Sequence, residues 1–183
     1  MDKSFKLKVK TDEKSLTDTN GKFTIEPLDR GYGITLGNAM RRVLLTSIPG
    51  AAITHVKIDG VDHEFSSVKG VKDDVADIIM NLKKIRFKLM DNNPDKINIL
   101  LKGKKVVTAK DIQAVSDQFE ILNPDQYITE VNSSSKLEME LRIGIGKGYV
   151  PSEENELPNL TVGTLSIDSI FNPVTKVSYS VKP

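Results

Sequence analysis

Cysteine is absent from the 183 residues, and so is tryptophan. The first absence excludes disulfide scaffolds, thiol nucleophiles and cysteine-ligated zinc or iron–sulfur centres. Aromatic residues make up only 5 % of the chain, which leaves few rings on which bases could stack. Neither sign of charge prevails: 26 Lys and Arg stand against 25 Asp and Glu, a net charge of +1. A dedicated nucleic-acid binder draws affinity from excess positive charge, so the composition argues against that class. No apolar run approaches the roughly 18 residues of a membrane span. The start, MDKSFKLKVK, alternates Phe5, Leu7 and Val9 with lysines and lacks the apolar stretch of a signal peptide. A soluble, cytoplasmic protein is expected. What remains is a globular composition, 38 % apolar and 28 % charged, in a chain long enough to bury about 70 % of its unfolded surface.

The pattern predicts an α+β fold with mostly antiparallel pairing and two main helices. Two strands, Phe5–Lys10 and Lys22–Glu26, flank the turn signal Asp18-Thr19-Asn20-Gly21, and Pro27 ends the second. In Gly31–Gly50, Leu36, Met40, Leu44 and Ile48 recur every fourth residue, which predicts a helix with one apolar stripe. Thr35 suits its start, and Pro49-Gly50 suits its stop. Ile53, Val56 and Ile58 precede Asp59-Gly60, a two-residue turn, and Val61 to Phe65 would return as the other arm of a hairpin. A second helix is predicted over about Val71–Lys84, with Val71, Val75, Ile78, Ile79 and Leu82 on one face. Strands are expected at Ile85–Met90, Lys96–Lys102, Val106–Thr108, Gln126–Val131, Lys136–Ile145 and Val162–Phe171, and last at Val177, Tyr179 and Val181.

No constellation for chemistry emerges, and no metal or cofactor is implied. His55 and His63 lie on opposite arms of the expected hairpin without a third ligand at suitable spacing. Gly31, Gly33 and Gly37 open a helix after a strand, but their spacing is G-x-G-x-x-x-G and no Gly-Lys-Ser/Thr follows. The alternative to phosphate binding is a turn at Gly31 and Gly33 and a close backbone approach at Gly37. Gly144, Gly146 and Gly148 alternate at strand spacing and suggest a bulge or a close contact. Asp91 and Asp95 in DNNPD lack the Gly and closing Glu of a calcium loop. The lysines at 83–88 and 102–105 have acids nearby and suit a solvated or partner-facing surface. Arg41 and Arg42 interrupt the apolar helix, pointing about 100° apart. Arg42, with Asn38 and Leu45 on its side, suits either an interface anchor or an exposed arginine lying over the core, and the pattern leaves the two open.

Phe23–Gly50, FTIEPLDRGYGITLGNAMRRVLLTSIPG, closely resembles the amino-terminal domain of bacterial RNA polymerase alpha subunits. The likeness continues through IDGVDHEFSSVKGVKDDVADIIMNLKKI, GKGYVP at Gly146–Pro151 and LSIDSIFNPVTKVSYSV. The resemblance implies an assembly subunit without an active site of its own, working within a nucleotidyltransferase complex. It implies a dimerisation subdomain, residues 1–49 with 173–183, interrupted by an inserted subdomain, residues 50–172. The implied partners are a second alpha protomer and the beta and beta-prime catalytic subunits. Beta-side contacts are implied at Arg42, Leu45, His63 and Lys83, and a beta-prime contact at Ile167. The stripe Leu36, Met40, Leu44 and Ile48 is implied to form the dimer helix. Glu153, Glu154 and Glu156 correspond to an acidic loop that meets activators in some relatives. Relatives continue into a further strand, a long helix, a linker and a DNA-binding domain, so a truncated piece without sequence-specific DNA binding is expected. A freestanding enzyme or a nucleic-acid-binding module stands as the alternative.

Overall fold

A computed structural model describes residues 6–90, 96–103 and 106–182. Phe5, the DNNPD segment with Asp91 and Asp95, and the lysines at 104 and 105 lie outside the described residues. The chain divides into two units, residues 1–43 with 177–183 and residues 44–176. The division falls inside a helix, α1 (Tyr32–Thr46).

In the smaller unit, β1 (Lys8–Thr11) and β2 (Phe23–Glu26) form an antiparallel pair, with Lys8 opposite Glu26 and Thr11 opposite Phe23. The turn between them closes through Thr17 and Asn20, whose backbone groups exchange hydrogen bonds. α1 starts three residues earlier than its expected cap. Gly31, at φ +89°, turns the chain, and Tyr32 N–H donates to the Asp29 carbonyl at 3.0 Å. Thr35 therefore lies within the first turn rather than before it.

Gly33 and Gly37 explain each other. A Cβ on Gly33 would lie 2.7 Å from Val181, and one on Gly37 would lie 2.4 Å from the Tyr179 ring. Spaced four apart, the two glycines open one side of the helix to the chain segment 177–182. Tyr179 Oη–H donates to Asn38 Oδ1 at 2.8 Å and fixes the register. The segment is no strand, although Val177, Tyr179 and Val181 alternate: it lies along a helix, not in a ladder.

The larger unit is built on a six-stranded antiparallel sheet. β3 (Pro49–Ile58), β4 (Phe87–Leu89), β5 (Lys96–Lys102), β7 (Phe119–Ile121) and β9 (Lys136–Lys147) run in the order β5-β9-β3-β4-β7. A short β11 (Thr164–Ser166) also pairs with β3. Beside this sheet, β6 (Val107–Thr108) pairs with β8 (Tyr127–Thr129), and β10 (Tyr149–Val150) pairs with β12 (Ser169–Ile170). Period-two burial runs along β5 and β9, which turn Ile97, Ile99, Leu101, Leu137, Met139, Leu141 and Ile143 inward. Against that face pack α2 (Val75–Leu82), through Val75, Ile78, Ile79 and Leu82, and α3 (Ala109–Gln113), through Ala109 and Ile112. Phe87 and Phe119 meet edge to face with ring centroids 5.3 Å apart.

Several expected elements differ. Asp59-Gly60 does turn, with Gly60 at φ +76°, but Val61–Phe65 does not return as a strand. Both flanks of β3 are already occupied, by β9 on one side and by β4 and β11 on the other, so only Val61 enters the core. The second helix begins at Val75 rather than Val71. Val71 instead bridges to Val131, and Lys72 N–H donates to the Glu130 carbonyl at 3.0 Å. Val162–Phe171 is two strands, because Ile167-Asp168 switches the chain from β3 to β10. α3, not expected at all, begins where Asp111 Oδ2 accepts the Thr108 N–H at 2.9 Å. Close contacts explain two of the alternating glycines: a Cβ on Gly146 would stand 2.5 Å from the Phe171 ring, and one on Gly144 would stand 2.7 Å from Thr54.

Asp73 ties the approach to α2 onto β8. Its Oδ2 accepts from Tyr127 Oη at 2.6 Å and from Thr129 Oγ1 at 2.8 Å. Burial alone would raise its pKa, but these two hydroxyls hold it below the ordinary carboxylate value. A carboxylate with a depressed native pKa stabilises above its unfolded value and loses that contribution as the pH falls through the native one. Asp73→Ala leaves Thr129, fully buried, without its acceptor. It should cost about 1–3 kcal/mol at pH 7, with a smaller difference from the parent once the pH falls below about 4. Urea denaturation at both pH values checks this, and an equal loss at both would remove the charge from the argument.

Candidate docking surfaces

α1 carries no fully buried residue. Tyr32, Ile34, Met40 and Val43 are exposed, and Leu36 and Leu44 are half-buried. Ile48, the last position of the expected stripe, falls in the bend after the helix and is half-buried there. Arg42 is exposed, and Leu45, one helical turn on, is half-buried. A helix that leaves this much apolar surface in water has a face suited to another protein.

His63 lies in the loop after Gly60, exposed, sharing a hydrogen bond of 3.2 Å between its Nδ1 and Ser66 Oγ. Phe65 beside it is 84 % exposed, the kind of projecting ring that anchors contacts.

Lys83, just past α2, forms an ion pair with Asp168. The pair joins the end of α2 to the 167–168 switch, so Lys83 and the Ile167 segment share one surface. Ile167 itself is 4 % exposed within the core cluster, and its N–H donates to the Thr54 carbonyl at 2.9 Å. Any contact made by this segment therefore runs through its neighbours. Asp168, then burial and a hydrogen bond to Asp168, raises the pKa of Tyr149. Tyr149 in turn faces Ile170 across β10 and β12, both exposed. An aromatic, an aliphatic and an ion pair thus lie together. Sequence reading missed Asp168 and Tyr149, although Asp168 directly follows a singled-out residue.

Glu153, Glu154 and Glu156 are exposed on and just after a 3₁₀ turn, Ser152–Asn155. Asn155 fixes the turn, its Nδ2 donating to the Ile167 carbonyl at 2.7 Å and to Ser169 Oγ at 3.0 Å. Ser169 Oγ–H donates in turn to the Ile53 carbonyl at 2.8 Å. Nothing in the expected pattern pointed to this anchor, because its partners lie 12 and 14 positions further along the chain. The two histidines differ in setting: His55 is 3 % exposed on β3, whereas His63 faces solvent. Among the described residues no group of three His, Asp or Glu could hold a metal ion, and no helix is long and apolar enough to cross a membrane.

Residues 56–172 match the family model described as the RNA polymerase Rpb3/RpoA insert domain. The match starts inside β3 and ends just past β12, within the larger unit. The chain belongs to the RNA polymerase alpha-subunit family. It is 54 % identical over 177 residues to the DNA-directed RNA polymerase subunit alpha of Alkaliphilus oremlandii, covering 97 % of this chain and 56 % of that protein. To the subunit of the same name from Chlorobium phaeobacteroides it is 51 % identical, over 96 % of this chain and 53 % of the relative. For Salinibacter ruber the figures are 48 %, 92 % and 51 %. The chain thus spans about half the length of the curated relatives that it matches. In this alpha-family chain, His63, Lys83, Ile167 and the three glutamates fall inside the matched insert domain, while Arg42, Leu45 and the α1 stripe precede it.

Proposed function

We propose that this chain is an assembly subunit of DNA-directed RNA polymerase, acting in transcription in the cytoplasm without an active site of its own. In this reading it dimerises with a second alpha protomer and docks the beta and beta-prime subunits. The observation that carries it is α1, a fifteen-residue helix without one buried side chain and with Arg42 on its exposed surface. Leu36, Met40 and Leu44, with Ile48 beyond the helix, serve the protomer contact. Arg42 and Leu45 serve the beta subunit, with His63 and the projecting Phe65 as a second beta-side contact.

The ion pair between Lys83 and Asp168 supports moving Lys83 from the beta side to the beta-prime side. There it acts with Asp168 and the Tyr149–Ile170 pair, and Ile167 holds the segment from within. Glu153, Glu154 and Glu156 offer an acidic surface to activators. Residues 1–49 with 173–183 form the dimerisation subdomain and 50–172 the insert in this reading.

Co-purification tests it. The intact chain, mixed separately with the beta and beta-prime subunits, should be retained by each, and Lys83→Ala should weaken retention by beta-prime only. Failure to be retained by either subunit would overturn the assembly reading. Weakened retention by beta alone would return Lys83 to the other side.

A further inference from the structure

Strand register sets three basic side chains in a row on the outer face of the larger unit. Lys96 on β5 lies opposite Arg142 on β9, and Arg142 lies opposite His55 on β3. The like charges of Lys96 and Arg142 at facing positions repel, so fold stability alone does not favour that pair. Lys96 is offset by Glu140 at 2.8 Å, whereas Arg142 makes no side-chain ion pair among the described residues. Burial holds the His55 ring below its ordinary pKa, against the pull of the Asn155 backbone, and the Arg142 charge depresses it further.

Local structure opens a space at this level. The register of β3 against β9 shifts between Ile53 and His55, a bulge of the kind that re-aims side chains. A cleft of about 340 Å³ lies here, lined by Thr54, His55, Lys96, Arg142, Glu154 and Asn155 among others. Thr54 Oγ1 and His55 Nδ1 share a hydrogen bond of 2.8 Å. The same Thr54 hydroxyl donates to the Arg142 carbonyl at 3.4 Å. His55 Nε2 and Arg142 Nε are both buried and without a hydrogen-bond partner among the described residues. Arg142 Nε is thus a buried donor with an unmet desolvation cost, which an acceptor in the cleft would relieve.

We propose that this cleft binds a small free oxyanion, phosphate or carboxylate, held by Arg142 with His55 and Lys96 beside it. Glu154, on the rim, opposes the ligand and limits its affinity. Nothing in this site depends on the docking reading.

The test is a titration of inorganic phosphate, and separately of acetate, into the intact chain, with sodium chloride holding ionic strength constant and amide NMR shifts as readout. Saturable shifts confined to the residues around Thr54, His55, Arg142 and Asn155 are expected. Arg142→Gln should weaken binding roughly ten- to hundredfold, the range for losing a charge-assisted hydrogen bond. Glu154→Gln should tighten it, roughly fivefold for one like charge near the surface. Shifts that rise without saturation, or equal affinity in Arg142→Gln, would overturn the site. Should Arg142→Gln not fold, an unchanged affinity in Glu154→Gln would overturn it as well.

Discussion

Leu141→Ala should lower the unfolding free energy of the larger unit by about 2–5 kcal/mol, the range for leaving a cavity in a packed core. Leu141 lies on β9, the strand with partners along most of its length on both sides: Leu141 itself faces Ile97 of β5 and Val56 of β3. It is 0 % exposed, so truncation removes contacts in the middle of the layer where neighbours can collapse least. A domain holds only about 5–15 kcal/mol in all, so this one change takes a large share of it. Leu100→Ala provides the contrast. Leu100 is the same residue type on β5 but points outward and is exposed, and its loss should stay within about 0.5 kcal/mol. Urea denaturation of both variants, with unchanged m values, distinguishes them. A midpoint for Leu141→Ala equal to that of Leu100→Ala would mean that β9 is not the centre of the core.

What could be read from the sequence follows the range of the signals. α1 was legible because its apolar positions repeat at helical spacing, and β5 and β9 were legible because each has one buried face with alternating residues. The same logic misled at Val177, Tyr179 and Val181, since alternation also suits an extended segment packed on a helix. The two glycines that receive it lie more than 140 residues away in sequence, and no local pattern links them. At Val61–Phe65 the turn chemistry was right and the pairing wrong, because a local signal cannot tell that distant strands hold both sides of β3. α3 is five residues long, too short for any periodicity, and its one local signal, a Thr108-x-x-Asp111 start, went unread.

The candidate surfaces divide in the same way. Arg42 could be singled out as a charge inside an apolar pattern. The Lys83–Asp168 pair, separated by 85 positions, exists only once β12 and α2 are in place. Burial of Ile167 was equally hidden, because a lone isoleucine between Ser166 and Asp168 reads the same whether it points in or out. The family resemblance therefore indicated the segment, and the fold indicates which of its side chains can reach a partner.

Arg42→Ala should weaken binding to the beta subunit by about 2–5 kcal/mol if Arg42 is the desolvated anchor of the proposed docking face, or roughly 30- to several-thousand-fold in affinity. The setting of Arg42 decides this more than its charge alone. An arginine in water contributes little, and removing it costs within about 0.5 kcal/mol. Among exposed apolar side chains, a partner that covers the helix also strips water from the guanidinium, whose planar fork must then find acceptors on that partner. Removing it leaves those acceptors buried and unpaired, which is where most of the penalty arises. Arg42→Lys separates the two contributions, since it keeps the charge and loses the fork. It should fall between parent and alanine variant if geometry matters, and match the parent if only charge does. Binding is to be compared at equal folded fraction, checked by circular dichroism, because Arg42 lies on the helix that both variants must retain. An affinity unchanged in Arg42→Ala would make this a solvated arginine resting on its own helix, and the beta-docking role would then have to pass to the exposed loop at His63 and Phe65.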